Sequence, residues 1–331
     1  MRCVVCPENG PPETLIIEDR EERPPRPDQV VVDVAAAGVN FVDALFVAGS
    51  YQIKPPVPFV PGSEIAGVVR EVGAEVAGWQ RGDRVLAMTG LGGWSERVTL
   101  SPFQLLRVPE AMDLDAAAAF MQSYATARFA LHDRAGAQPG ETLLVLGAGG
   151  GVGLATIDVA KAMGLHVLGA ASSADKRAAA LAAGADAVVD PGTEDLKGRA
   201  RAFAREHAAD ATGVDLVLDP IGGELAESAL RSLGYLGRYL VIGFAAGSIP
   251  ALPLNQVLLR NRAIVGVDWG AWSMAKAPEN AALIEMLLAQ VQDGQLHPTA
   301  PTRYTFDDAT IALNDLLQRR VTGKVVLVPG G

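Results

Sequence analysis

Seven consecutive residues carry the sharpest chemical signal in the chain: Gly147-Ala148-Gly149-Gly150-Gly151-Val152-Gly153. The apolar run Leu143–Leu146 stands before them and a helical stretch, Gly151–Met163, follows. A glycine turn between a buried strand and a helix lets backbone amides come close to a pyrophosphate, and the helix N-terminus adds a favourable dipole. Gly150 and Gly153 fill the later glycine slots of the dinucleotide fingerprint, with Ala148 in the first. A second test lies about twenty residues on, where NAD-binding domains place a carboxylate for the ribose 2′-hydroxyl. This chain runs Ala170-Ala171-Ser172-Ser173-Ala174-Asp175-Lys176-Arg177 there. Hydroxyl donors followed by two cations favour a 2′-phosphate, and so NADPH over NADH. Ser173 also reads as a helix N-cap with Asp175 in the first turn, a role compatible with the other.

Other chemistries lack their residues. A catalytic zinc needs three protein ligands, commonly Cys and His. Cys3 and Cys6 have no His beside them, and His132, His166, His207 and His297 are scattered, so no metal site is expected. Gly92-Gly93-Trp94-Ser95 lacks the closing glycine of a nucleophile elbow. Hydride transfer remains, in which the cofactor carries the chemistry and the protein positions it.

The elements that must hold such a site fall into two textures. The first 120 residues are rich in short β-branched runs (Val30–Val34, Ile65–Val72, Arg84–Met88, Trp94–Leu100) punctuated by Gly and Pro. From residue 123 a helical stretch, Ser123–His132, leads into alternating strand and helix patterns, the signature of βαβ units on a parallel sheet. Strands are predicted at Leu143–Leu146, His166–Ala170, Ala187–Val189, Val214–Leu218, Arg238–Ile242 and Ile264–Val267, and a last one at Lys324–Val328. The predicted fold class is α/β: a β-rich domain from 1–122 plus 265–331, with a doubly wound domain inserted over 123–264.

Composition bounds the partners. The 28 basic and 38 acidic residues give a net charge of −10, which argues against a nucleic-acid footprint. Hydrophobic residues make up 49% of the 331, enough to exclude a disordered chain. With two cysteines, no visible leader and no apolar span, the expectation is a cytoplasmic protein with no membrane partner.

Several segments together resemble one family. Ala36-Ala37-Gly38-Val39-Asn40-Phe41-Val42-Asp43, Gly49-Ser50-Tyr51, Pro61-Gly62-Ser63-Glu64-Ile65-Ala66-Gly67-Val68-Val69, Gly82-Asp83-Arg84-Val85 and Gly323-Lys324-Val325-Val326-Leu327 are similar to signatures of the zinc-independent, zeta-crystallin-like quinone oxidoreductases. These belong to the medium-chain dehydrogenase/reductase superfamily. The glycine turn looks like theirs, with Gly149 replacing an Ala. Zinc-dependent relatives carry Cys where Asn40 stands and His where Ser63 stands. The resemblance implies a GroES-like catalytic domain, a Rossmann domain, and a homodimer or homotetramer.

The resemblance also assigns residues. Asn40 and Tyr51 would line the nicotinamide and substrate cleft and polarise a small-molecule electron acceptor. Tyr124, Trp269 and Trp272 would wall the substrate pocket. Cofactor contacts would come from Asn40, Thr126, Ala148, Gly149, Gly150, Gly151, Val152, Gly153, Ser172, Ser173, Lys176, Phe244, Ala245, Val267, Trp269 and Lys324. Many relatives have a Tyr after the third strand of this domain, where Asp190-Pro191-Gly192 supplies none. The implied reaction is hydride transfer from NADPH to a quinone. An enone or enoyl-thioester reductase is the alternative within enzymes, and a non-catalytic NADPH-binding sensor the alternative outside them.

Overall fold

The computed structural model describes residues 1–22 and 24–330. Two compact units result, one formed by Met1–Gln122 with Thr299–Gly331, the other by Ser123–Pro298. The second boundary therefore falls after Pro298, later than the expected 264/265. The reason is packing within the second unit. Trp269 Nε1 donates to Asn280 Oδ1 at 2.9 Å, the Trp272 ring lies 4.7 Å from that of Phe129, and the His297 amide donates to Asp158 at 2.7 Å.

In the first unit the strands are β1 (Arg2–Val5), β2 (Ile16–Asp19), β3 (Val30–Val39), β4 (Glu64–Val72), β5 (Arg84–Met88), β6 (Arg97–Leu100) and β7 (Leu105–Arg107). Helices α1 (Phe41–Val47) and α2 (Leu114–Ala118) join them, followed by α3 (Met121–Arg128). The second unit contributes β8 (Thr142–Leu146), α4 (Gly151–Ala162), β9 (His166–Ala170), α5 (Ala174–Ala182), β10 (Ala187–Val189), α6 (Leu196–His207), β11 (Val214–Asp219), α7 (Leu225–Ser232), β12 (Leu233–Val241), α8 (Asn255–Leu258), β13 (Ala263–Gly266), α9 (Trp269–Ala275) and α10 (Ala277–Gln292). The chain returns to the first unit with β14 (Thr302–Thr305), α11 (Ala309–Leu317) and β15 (Val325–Val328).

The first unit is built on a sheet in the order β14-β15-β3-β4-β5-β7, with β6 also pairing β3. Apart from the parallel β14–β15 pair, its neighbours run antiparallel. β3 runs to Val39 rather than stopping at Val34, because Ala36–Val39 continue to pair with β4 and β15. The inward residues of β3, β4 and β5 pack with Trp94, Phe306 and Leu313 into one apolar core.

The second unit is a six-stranded parallel sheet in the order β10-β9-β8-β11-β12-β13. This is the doubly wound order 3-2-1-4-5-6 counted within the unit, and ligands of such sheets bind at the carboxyl ends where the order reverses. The reversal lies between β8 and β11. The expected helix Ser123–His132 divides into α3 and a wider π-helical turn over Phe129–Arg134.

Candidate active site

The glycine turn sits at that reversal point. β8 is wholly buried, and the chain leaves it through Gly147, whose φ of +61° a side chain would strain. The Ala148 amide donates to Ala170 O at 3.0 Å, locking the turn to the end of β9. Gly150 is the N-cap of α4, so the first-turn amides of Gly151, Val152 and Gly153 have no acceptor inside the helix. A Cβ on Gly149 would stand 2.4 Å from Lys176 Cβ and 2.7 Å from Lys176 Cγ. The first turn of α5 therefore lies directly against the glycine turn, carrying Lys176 with it. This cradle of bare amides closed by a cation fits a dinucleotide pyrophosphate and an added phosphate.

Around it, Ser173 caps α5, its hydroxyl accepting from the Lys176 amide at 3.3 Å, and Ser172 is exposed. Arg177 is occupied elsewhere. Its Nη1 donates to Ala171 O at 2.9 Å and pairs with Asp190 at 2.9 Å. The cationic spot anticipated at Lys176–Arg177 is thus carried by Lys176, and Asp190 holds Arg177 where relatives have a Tyr nearby. Sequence reasoning missed Asp219. Buried at the end of β11, it accepts from the amides of Ile221 and Gly222 at 2.7 and 2.8 Å and from the Tyr239 hydroxyl. That network fixes the Pro220–Gly222 turn beside Gly147 and Phe244. Ala245 is tied to it, its amide donating to Pro220 O at 3.1 Å.

The expected pocket aromatics are packed inside the second unit. Tyr124 is buried and its hydroxyl donates to Asp158 Oδ2 at 2.7 Å. Burial and the Asp158 charge push that hydroxyl far above the ordinary phenol range, so it holds its proton as a structural donor. Val267 and Trp269 are buried, and Asp268 caps α9, which Trp269 begins. Trp272 lies against Phe129. Thr126 is half-buried on α3.

A second polar site lies in the first unit, and strand register creates it. β15 pairs with β3 so that Val325 faces Val39, which brings Lys324 opposite Asn40. β4 pairs with β3 so that Ile65 faces Ala37, which brings Glu64 opposite Gly38. Positions 38 and 40 share one face of the strand. Gly38 is needed here, since a Cβ would stand 2.6 Å from both Glu64 Cγ and Ala118 O.

The bonds make one cluster. Asn40 Nδ2 donates to Glu64 Oε1 at 2.9 Å and to Ser63 Oγ at 3.4 Å. Lys324 Nζ donates to Glu64 Oε1 at 3.0 Å and to Asn40 Oδ1. The Gln122 amide donates to Glu64 Oε2 at 3.0 Å, and Ser63 Oγ donates to Gln122 Oε1 at 3.2 Å. Asn40, expected to donate to an acceptor, therefore directs both side-chain donors at protein partners. The Asn40 amide donates to Asp43 Oδ2 at 2.7 Å, while Asp43 Oδ1 is buried without a hydrogen bond of normal geometry. Burial pushes Asp43 up to about 7, against the opposing pull of the Asn40 amide and Lys324 and with a further push from Glu64. The Tyr51 ring stands edge-on to Phe46 with centroids 5.0 Å apart. The motifs containing Asp43, Ser63 and Glu64 were visible in sequence, but no role for them was. Their one signal was a charge heading an otherwise apolar strand, as at Glu64-Ile65-Ala66 and Lys324-Val325-Val326.

Two family descriptions match the chain: an alcohol dehydrogenase GroES-like domain over residues 26–110, and a zinc-binding dehydrogenase domain over residues 151–286. Quinone oxidoreductase-like protein 2 of Bos taurus is 38% identical over 327 residues, 98% of this chain and 92% of that one. The chain belongs to the quinone oxidoreductase-like family of the medium-chain dehydrogenase/reductase superfamily. Among solved structures, a probable oxidoreductase from Mycobacterium abscessus is 38% identical with a TM-score of 0.86, covering 99% of each chain. The quinone oxidoreductase of Thermus thermophilus, solved also with NADPH, is 35% identical with a TM-score of 0.83, covering 99% of this chain and 100% of that one. The GroES-like and Rossmann domains of that family are the two folds described above.

The donor set does not fit the zinc that one family description carries. Where zinc-dependent relatives place thiolate and imidazole, this chain has a carboxamide and a hydroxyl, and the adjoining carboxylate is already paired with an ammonium. Among the described residues, no group of three or more His, Cys, Asp or Glu is arranged to hold a metal ion.

Proposed function

We propose that this family member catalyses hydride transfer from NADPH to a quinone or similarly electron-poor acceptor. The observation that carries the reading is the glycine turn with Lys176 laid against Gly149, a phosphate cradle without a carboxylate at the end of β9. The amides of Gly151, Val152 and Gly153 would hold the pyrophosphate. Ser172, Ser173 and Lys176 would hold the 2′-phosphate, and Phe244, Ala245 and Val267 would flank the nicotinamide. NADPH, when bound, supplies the hydride. The chain's own contribution is orientation and a hydrogen bond to the acceptor oxygen as it gains charge. Overall, quinone, NADPH and one proton give hydroquinone and NADP⁺, with the proton drawn from solvent.

The test is NADPH and NADH oxidation measured side by side on simple quinones, 2-alkenals and enoyl-CoA esters. The reading expects the highest kcat/KM on quinones with NADPH. No oxidation above background on quinones would sink it, and faster turnover of enoyl esters would move the substrate class to activated alkenes.

The protein also reads as a homodimer located in the cytoplasm. β13 ends the parallel sheet, so its outer backbone groups lack a strand partner among the described residues. Leu254, Leu258 and Leu259 are each more than 70% exposed in the segment leading to it, a patch that favours a second copy. Light scattering after size exclusion would give twice the 34.5 kDa chain mass, and a single-chain mass would reject the dimer. Among the described residues, no helix is long and apolar enough to cross a membrane.

A further inference from the structure

We infer that Asp190 is a specificity-determining residue of the cofactor site: it holds Arg177 at the ends of β9 and β10 and so withholds a second cation from the 2′-phosphate. This rests on the reading of Ser172, Ser173 and Lys176 as the 2′-phosphate contacts, and every residue it uses lies in the second unit. Lys176 and Arg177 are consecutive on α5, and successive side chains of a helix diverge by about 100°. Lys176 is the one laid against the glycine turn. Arg177 goes to the strand ends, where its Nη1 donates to Ala171 O at 2.9 Å and lies 2.9 Å from Asp190 Oδ2. Ala171 immediately precedes Ser172, and its own amide donates to Val189 O at 3.1 Å, so the guanidinium bonds the residue next to the first phosphate contact. Asp190 is the fixed member of the pair. Its Oδ1 accepts from the Gly192 amide at 2.9 Å, its own amide donates to Glu194 Oε1 at 2.8 Å, and its carbonyl accepts from the Glu194 amide at 2.9 Å.

The side chains of Arg177 and Asp190 are 24% and 18% exposed, so the pair can open without leaving either charge in a dry interior. A guanidinium binds a phosphate and a carboxylate through the same fork of N–H donors, so the two anions compete for it. With NADPH bound, Arg177 reaches the phosphate only by giving up a carboxylate already in place. Asp190, then unpaired, repels that same phosphate. The two effects cancel most of what Arg177 would add. NADH has a hydroxyl at that position and leaves the pair undisturbed. The preference for the phosphate therefore rests on Lys176, and one carboxylate at the end of β10 limits it.

The experiment measures dissociation constants for NADPH and NADH by isothermal titration, and thermal melts without cofactor, on wild type, Asp190→Asn, Arg177→Gln and the double variant. Asparagine keeps an acceptor for the Gly192 amide, so the turn after β10 is retained. The proposal expects Asp190→Asn to raise the NADH-to-NADPH ratio of dissociation constants about tenfold, with NADH affinity itself within twofold of wild type. In the Arg177→Gln background the same substitution should raise that ratio threefold or less, the part that comes from removing a charge alone. The pair 2′,5′-ADP and 5′-AMP, titrated alongside, should show the same two changes, since neither carries a nicotinamide. A ratio unchanged in Asp190→Asn overturns the proposal. So does an equal rise in both backgrounds, which would make Asp190 a nearby charge with no hold on Arg177. Parallel gains or losses for both cofactors overturn it too, because they mark a change in the fold that the apo melts would also register. A wild type that binds NADPH no more tightly than NADH defeats the 2′-phosphate reading and this inference with it. A wild type that prefers NADPH, with variants unmoved, defeats the role of Asp190 alone.

Discussion

The glycine turn of the second unit and the charged cluster of the first are built on opposite principles. The turn is contiguous in sequence and is made of backbone: seven consecutive residues, a strand before and a helix after, with Lys176 laid over it from the next helix. The cluster is made of side chains, and its members Asn40, Glu64, Gln122 and Lys324 come from segments spread across the chain. Backbone amides need no desolvation partner until a ligand arrives, so the turn tolerates being open. Buried charges must be satisfied within the protein at all times, so the cluster is closed and stability depends on it. The same molecule builds one region from backbone groups that are inexpensive to leave open and the other from buried charges that are costly to leave unpaired.

The sharpest way to break this contrast is to remove one cation from each region. Lys324→Met leaves Glu64, 1% exposed, without its ammonium. Removing one partner of a buried pair costs about 3–5 kcal/mol. Lys176→Met, half-buried against the turn, should cost less, at about 1 kcal/mol. Chemical denaturation of the two apo variants measures both. Equal losses would mean that the cluster is more hydrated than its burial implies.

Asp43 gives the next largest effect. Its folded value of about 7 lies above the ordinary 3.8, so the folded state holds a proton that the unfolded chain has released. Its contribution to stability is full below about pH 4 and is lost as pH rises through 7, a span worth about 4 kcal/mol. Asp43→Asn stays neutral at every pH. The variant should therefore gain on wild type as pH rises from 5 to 8, read as the difference between their melting temperatures. A pH-independent difference would show that Asp43 is ionised throughout.

How far each region was legible in sequence follows the same division. The turn at 147–153, the strands β5, β9 and β10, and the alternation that yields a parallel sheet are local patterns, and the structure has them at or within a residue or two of the expected bounds. The motifs around Asn40 and Glu64 were equally visible, but what those side chains do depends on register. Val325 opposite Val39 and Ile65 opposite Ala37 are long-range pairings that periodicity does not encode. The tryptophans teach the same lesson. The resemblance implies pocket walls at Trp269 and Trp272, and what periodicity does not show is that capping by Asp268 turns that segment into a helix that sets Trp269 against Asn280 and Trp272 against Phe129. Arg177 read as half of a cationic spot because its partner, Asp190, follows the next strand.

Gly149 tests the backbone side of the comparison. An alanine Cβ there would meet Lys176 Cβ at 2.4 Å, and since Gly149 is not in a left-handed conformation the cost is displacement of α5 rather than backbone strain. Gly149→Ala should move Lys176 away from the turn and weaken NADPH binding about tenfold, or roughly 1.4 kcal/mol, while changing NADH binding less. Isothermal titration with both cofactors separates the outcomes. Equal weakening of the two would locate the damage at the pyrophosphate amides instead of at the 2′-phosphate.

The smallest effect isolates the double role of Ser173. Its hydroxyl caps α5 through a 3.3 Å bond at an exposed position, so Ser173→Ala should cost the apo protein only about 0.5 kcal/mol, the low end for a helix cap. If the same hydroxyl also meets the 2′-phosphate, the variant melts further below wild type in saturating NADPH than without it, because ligand bound to the folded state adds stability in proportion to affinity. In saturating NADH, which lacks that phosphate, the gap between variant and wild type should return to its apo size. A gap that is the same in all three conditions would make Ser173 a cap and nothing more, leaving Lys176 to read the phosphate from the turn alone.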